Sequence, residues 1–169
     1  TSARGFERPP FPDIWTGRDQ QVVLDTWAIF YCESDTRHVR TFQEHVGRLA
    51  RQVQDENRRD ENGRERVRIS EPALVGINAN IDGWMQKLEE WGRDDVDFSL
   101  VVIPDWMKRN EPDAYFKFKR AITLSQVAGV PSQMVLGKSL ASERSRDQVF
   151  KNILQQVLVK CGAWLWVFS

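Results

Sequence analysis

Tyr115 and Lys119 stand four residues apart in the run from Asp113 to Val135, DAYFKFKRAITLSQVAGVPSQMV. In a helix that spacing puts both on one face, an aromatic ring beside an ammonium group. Pro112 suits the start of such a helix and Gly129 its end. Free backbone N–H groups at a helix start, together with the macrodipole, favour an anion. The Val-Pro-Ser-Gln-Met-Val-Leu run that follows reads as a buried strand that begins with a polar amide, Gln133. A π-face, a positive charge, a helix N-terminus and an amide are the parts of a pocket for a terminal nucleotide. A surface Tyr and a solvated Lys on an ordinary amphipathic helix would use the same letters.

Other chemistries lack their parts. No Gly-rich dinucleotide fingerprint follows the first strand, where the residues are Cys32, Glu33, Ser34, Asp35 and Thr36. Gly137-Lys138-Ser139 lacks the glycine five residues upstream that a phosphate loop needs, which argues against a small-nucleotide enzyme. There is no Gly-x-Ser-x-Gly elbow. His38 and His45, seven apart on one helix, have no Cys or carboxylate cluster alongside, so they read as solvated or half-buried rather than as metal ligands. Asp105 sits just past a central strand, the place of the phospho-acceptor in receiver-type domains. Those domains need an acidic pair at the end of the first strand, and Glu33 with Asp35 matches poorly. A protein-interaction or receiver-like regulatory α/β domain stands as the alternative to a nucleotide-binding module.

These residues must be positioned by regular elements, and the patterning supplies them. Residues 1–21 are rich in Pro, Gly and Arg and read as an extended lead-in. Val22 to Cys32 is a strand buried on both faces. Ser34, Asp35 and Thr36 offer an N-cap, and Val39, Phe42, Val46, Leu49 and Val53 recur at helical steps to about Gln54. The charged run 55–67 reads as a solvated loop or frayed helix end. A short strand spans Arg68 to Val75, and Asn78, Asn80 and Asp82 cap a helix that Gly92 closes. Asp97 to Ile103 is a strand, and Pro104 to Asp113 is a loop leading into the Tyr115 helix. After the Gln133 strand, Ser142 or Ser145 opens a last helix with Val149, Ile153, Val157 and Leu158 on its buried side and Gly162 at its end. Strand and helix thus alternate four times, which predicts an α/β fold with a mainly parallel four-stranded sheet and helices on both faces. In such sheets ligands sit at the carboxyl ends of strands near a topological switch point, where the loop after Ile103 lies.

The 169 residues suffice for one domain. Hydrophobic residues at 41% and charged residues at 28% fit a soluble globular chain. No membrane span or signal peptide is visible. Two cysteines, Cys32 and Cys161, make no disulfide framework and favour a reducing compartment, cytoplasm or nucleus. Basic and acidic residues balance at 24 each, so nucleic acid would have to be bound locally, by a pocket, rather than by bulk charge. The chain starts at Thr1 and stops inside the apolar alternation Trp164 to Phe168, as expected of a domain excised from a longer protein or of a strand folded back on its own core. The seven tryptophans, Trp164 and Trp166 among them, suggest an apolar surface meant for a neighbouring domain.

The C-terminal run from Asn152 to Trp166, NILQQVLVKCGAWLW, is similar to the end of the MID domain of Argonaute and Piwi proteins. That family has a Tyr-x-x-x-Lys helix start, a Gln early in the next strand and a Lys just before a Gly-rich step. Tyr115, Lys119, Gln133 and Lys160 occupy these positions in the family's order. The similarity spans roughly Asp25 to Trp166, with 1–21 as lead-in and 22–169 as the domain. It implies a Rossmann-like fold that anchors the 5′-phosphorylated end of a small guide RNA, DNA being the less favoured guide, for RNA silencing. Tyr115 would stack on the first base. Lys119, Gln133 and Lys160 would hold the phosphate, with Gln156 one turn before the last lysine. The stretch Asp105, Trp106, Met107, Lys108, Arg109 and Asn110 would border the base edge.

Gln156 departs from the lysine that eukaryotic Argonautes usually carry there. A glutamine looks more like Piwi and some prokaryotic members, where Mg²⁺ can replace the missing charge; no cofactor is otherwise required. The resemblance further implies a monomeric binding module without membrane contact, and no enzyme, since the cleavage residues belong to a neighbouring PIWI domain. The physics is consistent with these roles. A terminal phosphate carries a charge of about −2 and three acceptor oxygens, two lysines match that charge, and Gln133 adds an N–H donor. Stacking on an aromatic ring contributes roughly 1–3 kcal/mol for any base. A lysine in a helix's last turn is also favoured by the dipole alone, which is the plainer account of Lys160.

Overall fold

Phe98–Ile103 is buried at all six positions, which is what an unbroken apolar run becomes when helices cover both faces of its sheet. The structure, a computed structural model, describes residues 14–15, 22–56, 67–78, 80–124, 127, 129–144, 146–162 and 164–165. In chain order the elements are β1 (Ile14–Trp15), β2 (Val22–Leu24), β3 (Trp27–Tyr31), a 3₁₀ turn (Glu33–Asp35), α1 (Thr36–Glu56), β4 (Val67–Ile69), β5 (Ala73–Gly76) and α2 (Ile81–Gly92). Then follow β6 (Phe98–Ile103), α3 (Asp105–Asn110), α4 (Pro112–Thr123), β7 (Ser132–Leu136), α5 (Gly137–Ala141), α6 (Arg146–Lys160) and β8 (Trp164–Leu165). Among the described residues no helix is long and apolar enough to cross a membrane.

The main sheet has the order β5-β3-β6-β7 with every pairing parallel, the four-stranded parallel sheet the alternation predicts, in a Rossmann-like arrangement. Strand residues alternate between its faces. Trp27, Ile29, Leu100 and Val102 pack with Phe42 of α1 and Phe150, Leu154 and Leu158 of α6. Ala28, Phe30, Val101 and Ile103 pack with Trp84 of α2 and Phe118 and Ile122 of α4. Edge-on ring pairs lock each layer: Phe42 to Phe150 at 5.1 Å, and Trp84 to Phe118 at 6.4 Å.

Local chemistry moves several boundaries. The expected strand Val22 to Cys32 is two strands, because the Asp97 carboxylate accepts hydrogen bonds from the Asp25 and Thr26 N–H groups at 2.8 and 3.0 Å and takes those residues off the ladder. Arg68 to Val75 divides likewise into β4, which pairs with β2 in a separate parallel ribbon, and β5. Asn80 caps α2, accepting from the Gly83 N–H at 3.0 Å.

Pro104 to Asp113 is not a loop. Pro104 is extended and starts α3, whose first turn carries Asp105 and whose last carries Lys108 and Arg109, the charges its dipole favours. The Tyr115 helix ends at Thr123 rather than near Gly129, which at φ +69° serves the turn before β7 instead. α5 is an unexpected extra turn, and α6 starts at Arg146. β1 and β8 pair antiparallel, Ile14 with Leu165 and Trp15 with Trp164. Most of the lead-in (1–13 and 16–21), the charged stretch 57–66, Ser145 and Trp166 lie outside the described residues.

Candidate functional site

Lys160 is the last residue of α6, and its ammonium does not trail into solvent. It donates to the Ser132 carbonyl at 2.5 Å, where β7 begins, and to the Thr123 carbonyl at 3.4 Å, where α4 ends. Thr123 offers one of the C-terminal carbonyls that α4 cannot satisfy internally, and the dipole there welcomes a cation. Burial lowers the pKa of Lys160 from its ordinary value. Two of its three donors are thus engaged by the protein, which leaves one for a ligand.

Gln133, Gln156 and Lys160 line one cleft of about 460 Å³, together with Asn152, Gln155 and Val159. Gln133 is half-buried as the second residue of β7, and its Nε2 donates to the Met134 carbonyl at 3.3 Å. Gln156 is exposed one helical turn before Lys160. Asn152, Gln155 and Val159 were not singled out by sequence, although Asn152 lies four residues before Gln156, Val159 three after it, and Gln155 three after Asn152, which puts them on neighbouring helix positions. The carbonyls of Thr123 and Ser132 carry no sequence signal at all.

The other expected residues lie along α4 and α3. Lys119 is exposed one turn before Thr123, the residue whose carbonyl Lys160 holds, and does not line the cleft. Tyr115 is two turns from Thr123, about 12 Å along the axis, and does not line the cleft. Its side chain is 2% exposed, with Lys108 Nζ 5.8 Å from the ring centroid and the Phe116 ring edge-on at 5.5 Å. Burial first, and the Asp105 charge second, raise the pKa of its hydroxyl. Asp105, Trp106, Met107, Lys108, Arg109 and Asn110 form α3 rather than a reading loop. Met107 is fully buried in the core and Trp106 is packed against it, so only Asp105, Lys108, Arg109 and Asn110 present exposed side chains.

At the opposite end of the sheet, the order reverses between β3 and β6, and Asp35 and Asp105 flank their carboxyl ends. Burial first, with the Asp105 charge assisting and His38 opposing, raises the Asp35 carboxyl above its ordinary value. Asp35 Oδ2 is buried without a hydrogen-bond partner, and a Cβ on Gly137 would fall 2.4 Å from Oδ1. A side chain at Gly137 would therefore require the Asp35 carboxylate to move. Cys161, next to Lys160, has its thiol pushed up to about 12 by burial and then by Asp97, so it is neutral and not a nucleophile near pH 7. Among the described residues no three His, Cys, Asp or Glu side chains group to hold a metal ion.

No protein-family model matches the sequence, and no curated protein matches it significantly. Solved structures do resemble it. Drosophila Piwi superposes with a TM-score of 0.62 at 21% identity over 90% of this chain and 20% of its own. The Argonaute protein from Methanocaldococcus jannaschii gives 0.56 at 15% identity, over 91% of this chain and 21% of its own. Aa-Ago with externally bound siRNA gives 0.55 at 19% identity, over 90% and 20%. The chain therefore has the fold of one segment of Argonaute and Piwi proteins, spanning about a fifth of their length.

Proposed function

We propose that this chain is the MID-type domain of an Argonaute-like protein and that it anchors the 5′-phosphorylated terminal nucleotide of a small guide RNA. The observation that carries this reading is the convergence of Lys160, Gln133 and Gln156 on one cleft, beside the end of α4 that Lys160 holds. The Lys160 ammonium, already fixed by two carbonyls, meets a phosphate oxygen without having to be ordered first. Lys119 supplies the second charge from the exposed face of α4, and the Gln133 and Gln156 amides donate to the remaining oxygens. Stacking on Tyr115 requires Lys108 to leave the ring and a base to reach along α4. The chain acts as a binding module within a longer protein, beside a PIWI domain, and performs no cleavage of its own. Mg²⁺ fits here only as a companion of the phosphate: the cleft offers amide oxygens but no carboxylate to hold the ion alone.

The test is titration of a labelled single strand with and without its 5′-phosphate. The phosphorylated strand binds on the order of 10-fold tighter or more, the scale of hydrogen bonds to charged groups. Lys160→Glu and Lys119→Ala each remove most of that difference. Equal affinity for the two strands ends the reading, and phosphotransfer to Asp105 from acetyl phosphate would put the receiver-like alternative in its place.

A further inference from the structure

The cleft beside Lys160 is larger and more neutral than a phosphate needs. Its volume of about 460 Å³ corresponds to on the order of fifteen waters, and a phosphoryl group fills only a small part of that. Of its six lining residues one is a cation and four are amides: Gln133, Asn152, Gln155 and Gln156. The sixth, Val159, is 44% exposed and gives the wall an apolar strip. Three of the amides follow α6 away from Lys160, with Asn152 about 12 Å from it along the helix axis. The cleft therefore has a charged end and a neutral end that hydrogen-bonds.

A phosphate oxygen only accepts, and the edge of a deoxyribose neither donates nor accepts at its 2′ carbon. An amide side chain does both, and so does the ribose 2′-hydroxyl, the group by which a protein tells RNA from DNA. Asn152 Oδ1 already accepts from Gln148 Nε2 at 2.8 Å, which orients the Asn152 amide and leaves its N–H groups available. Val159 matches the C–H face of a sugar. We infer that Asn152 and Gln155 read the sugar of the bound end and give the cleft a preference for ribose over deoxyribose in the first nucleotides. The inference rests on the guide-end reading, because it takes the phosphate to sit at Lys160 and the sugar to extend along α6.

The experiment uses two strands of one sequence, one all ribose and one with deoxyribose only at its first two positions, each with and without a 5′-phosphate. Each is titrated against the chain, against Asn152→Ala and against Gln155→Ala. The all-ribose strand binds the unaltered chain roughly 5- to 10-fold tighter, the size of one or two net hydrogen bonds. Each alanine variant brings that ratio toward one and leaves the dependence on the 5′-phosphate intact. A ratio of one in the unaltered chain, or variants that weaken both strands equally, overturns the sugar reading while phosphate dependence still upholds the guide-end reading. A ribose preference with no phosphate dependence overturns the guide-end reading and, with it, the placement of the sugar along α6. Failure to bind any of the strands overturns both.

Discussion

Asp35 keeps a buried carboxylate oxygen without a hydrogen-bond donor, an arrangement that makes the charged form costly. Burial and then the Asp105 charge hold its pKa above the ordinary value of 3.8, against the pull of His38. The folded chain thus binds this proton more tightly than the unfolded chain. Between the ordinary and the raised value, stability increases as pH falls and declines as pH rises. Asp35→Asn removes the titration and keeps the shape. The stability of Asp35→Asn relative to the unaltered chain should fall as pH drops from neutral into the window just above 3.8. Urea denaturation of both proteins across that range checks it, and a difference that stays constant with pH sinks it. Lys160 is the converse case, a charge the fold satisfies with two carbonyls before any ligand arrives. Tyr115 differs again: its ring belongs to the core, so replacing it would perturb packing as well as any stacking.

Elements were legible where one period dominated and illegible where a side chain from elsewhere intervened. α1, α2 and β6 follow from the spacing of Val39, Phe42 and Val46, from the Asn80 cap and from six apolar-compatible residues in a row. The six-residue α3 was hidden because prolines flank it at 104 and 112, and a Pro-bounded polar run reads as a loop. The break between β2 and β3 was hidden because its cause, Asp97, lies 71 residues from Thr26. At the site, Gln133, Gln156 and Lys160 could be picked out by resemblance, whereas exposed amides such as Asn152 and Gln155 signify nothing until a cleft surrounds them. The Asp97 clasp makes its own prediction. Its carboxylate accepts two backbone N–H groups, and its own N–H donates to the Thr26 carbonyl at 2.8 Å. Asp97→Ala leaves both amides to water at a half-exposed site and should cost about 1–2 kcal/mol in chemical denaturation. Asp97→Asn, which keeps one acceptor, should cost less; equal losses would mean that the clasp is not what joins β2–β3 to β6.

Across the whole molecule the cleft lies at a sheet edge, where the two helical layers meet. β7 is the edge strand, α6 belongs to the layer with α1, and α4 belongs to the layer with α2. Lys160 crosses between those layers, from the end of α6 to the end of α4, past the amino end of β7. A guide end held there, as proposed, would depart from the general rule for open α/β sheets, which puts ligands at the carboxyl ends near the switch point. Here that place holds Asp35 and Asp105, two carboxylates ill suited to a phosphate. On the proposed function, this placement makes binding of the guide end depend unequally on the two layers. Leu158 is fully buried under the end of α6, two residues before Lys160, while Leu88 is buried in α2, whose packing contacts are in the other layer. Truncating either to alanine removes a comparable volume of core and should cost about 2–5 kcal/mol. Measured well below both unfolding midpoints, Leu158→Ala should weaken binding of a 5′-phosphorylated strand several-fold, because α6 shifts and carries Lys160, Gln156 and Val159 with it. Leu88→Ala should leave affinity near that of the unaltered chain. Equal affinities for the two variants would mean that the cleft does not depend on how α6 is seated, and the ligand would then have to be sought on another surface.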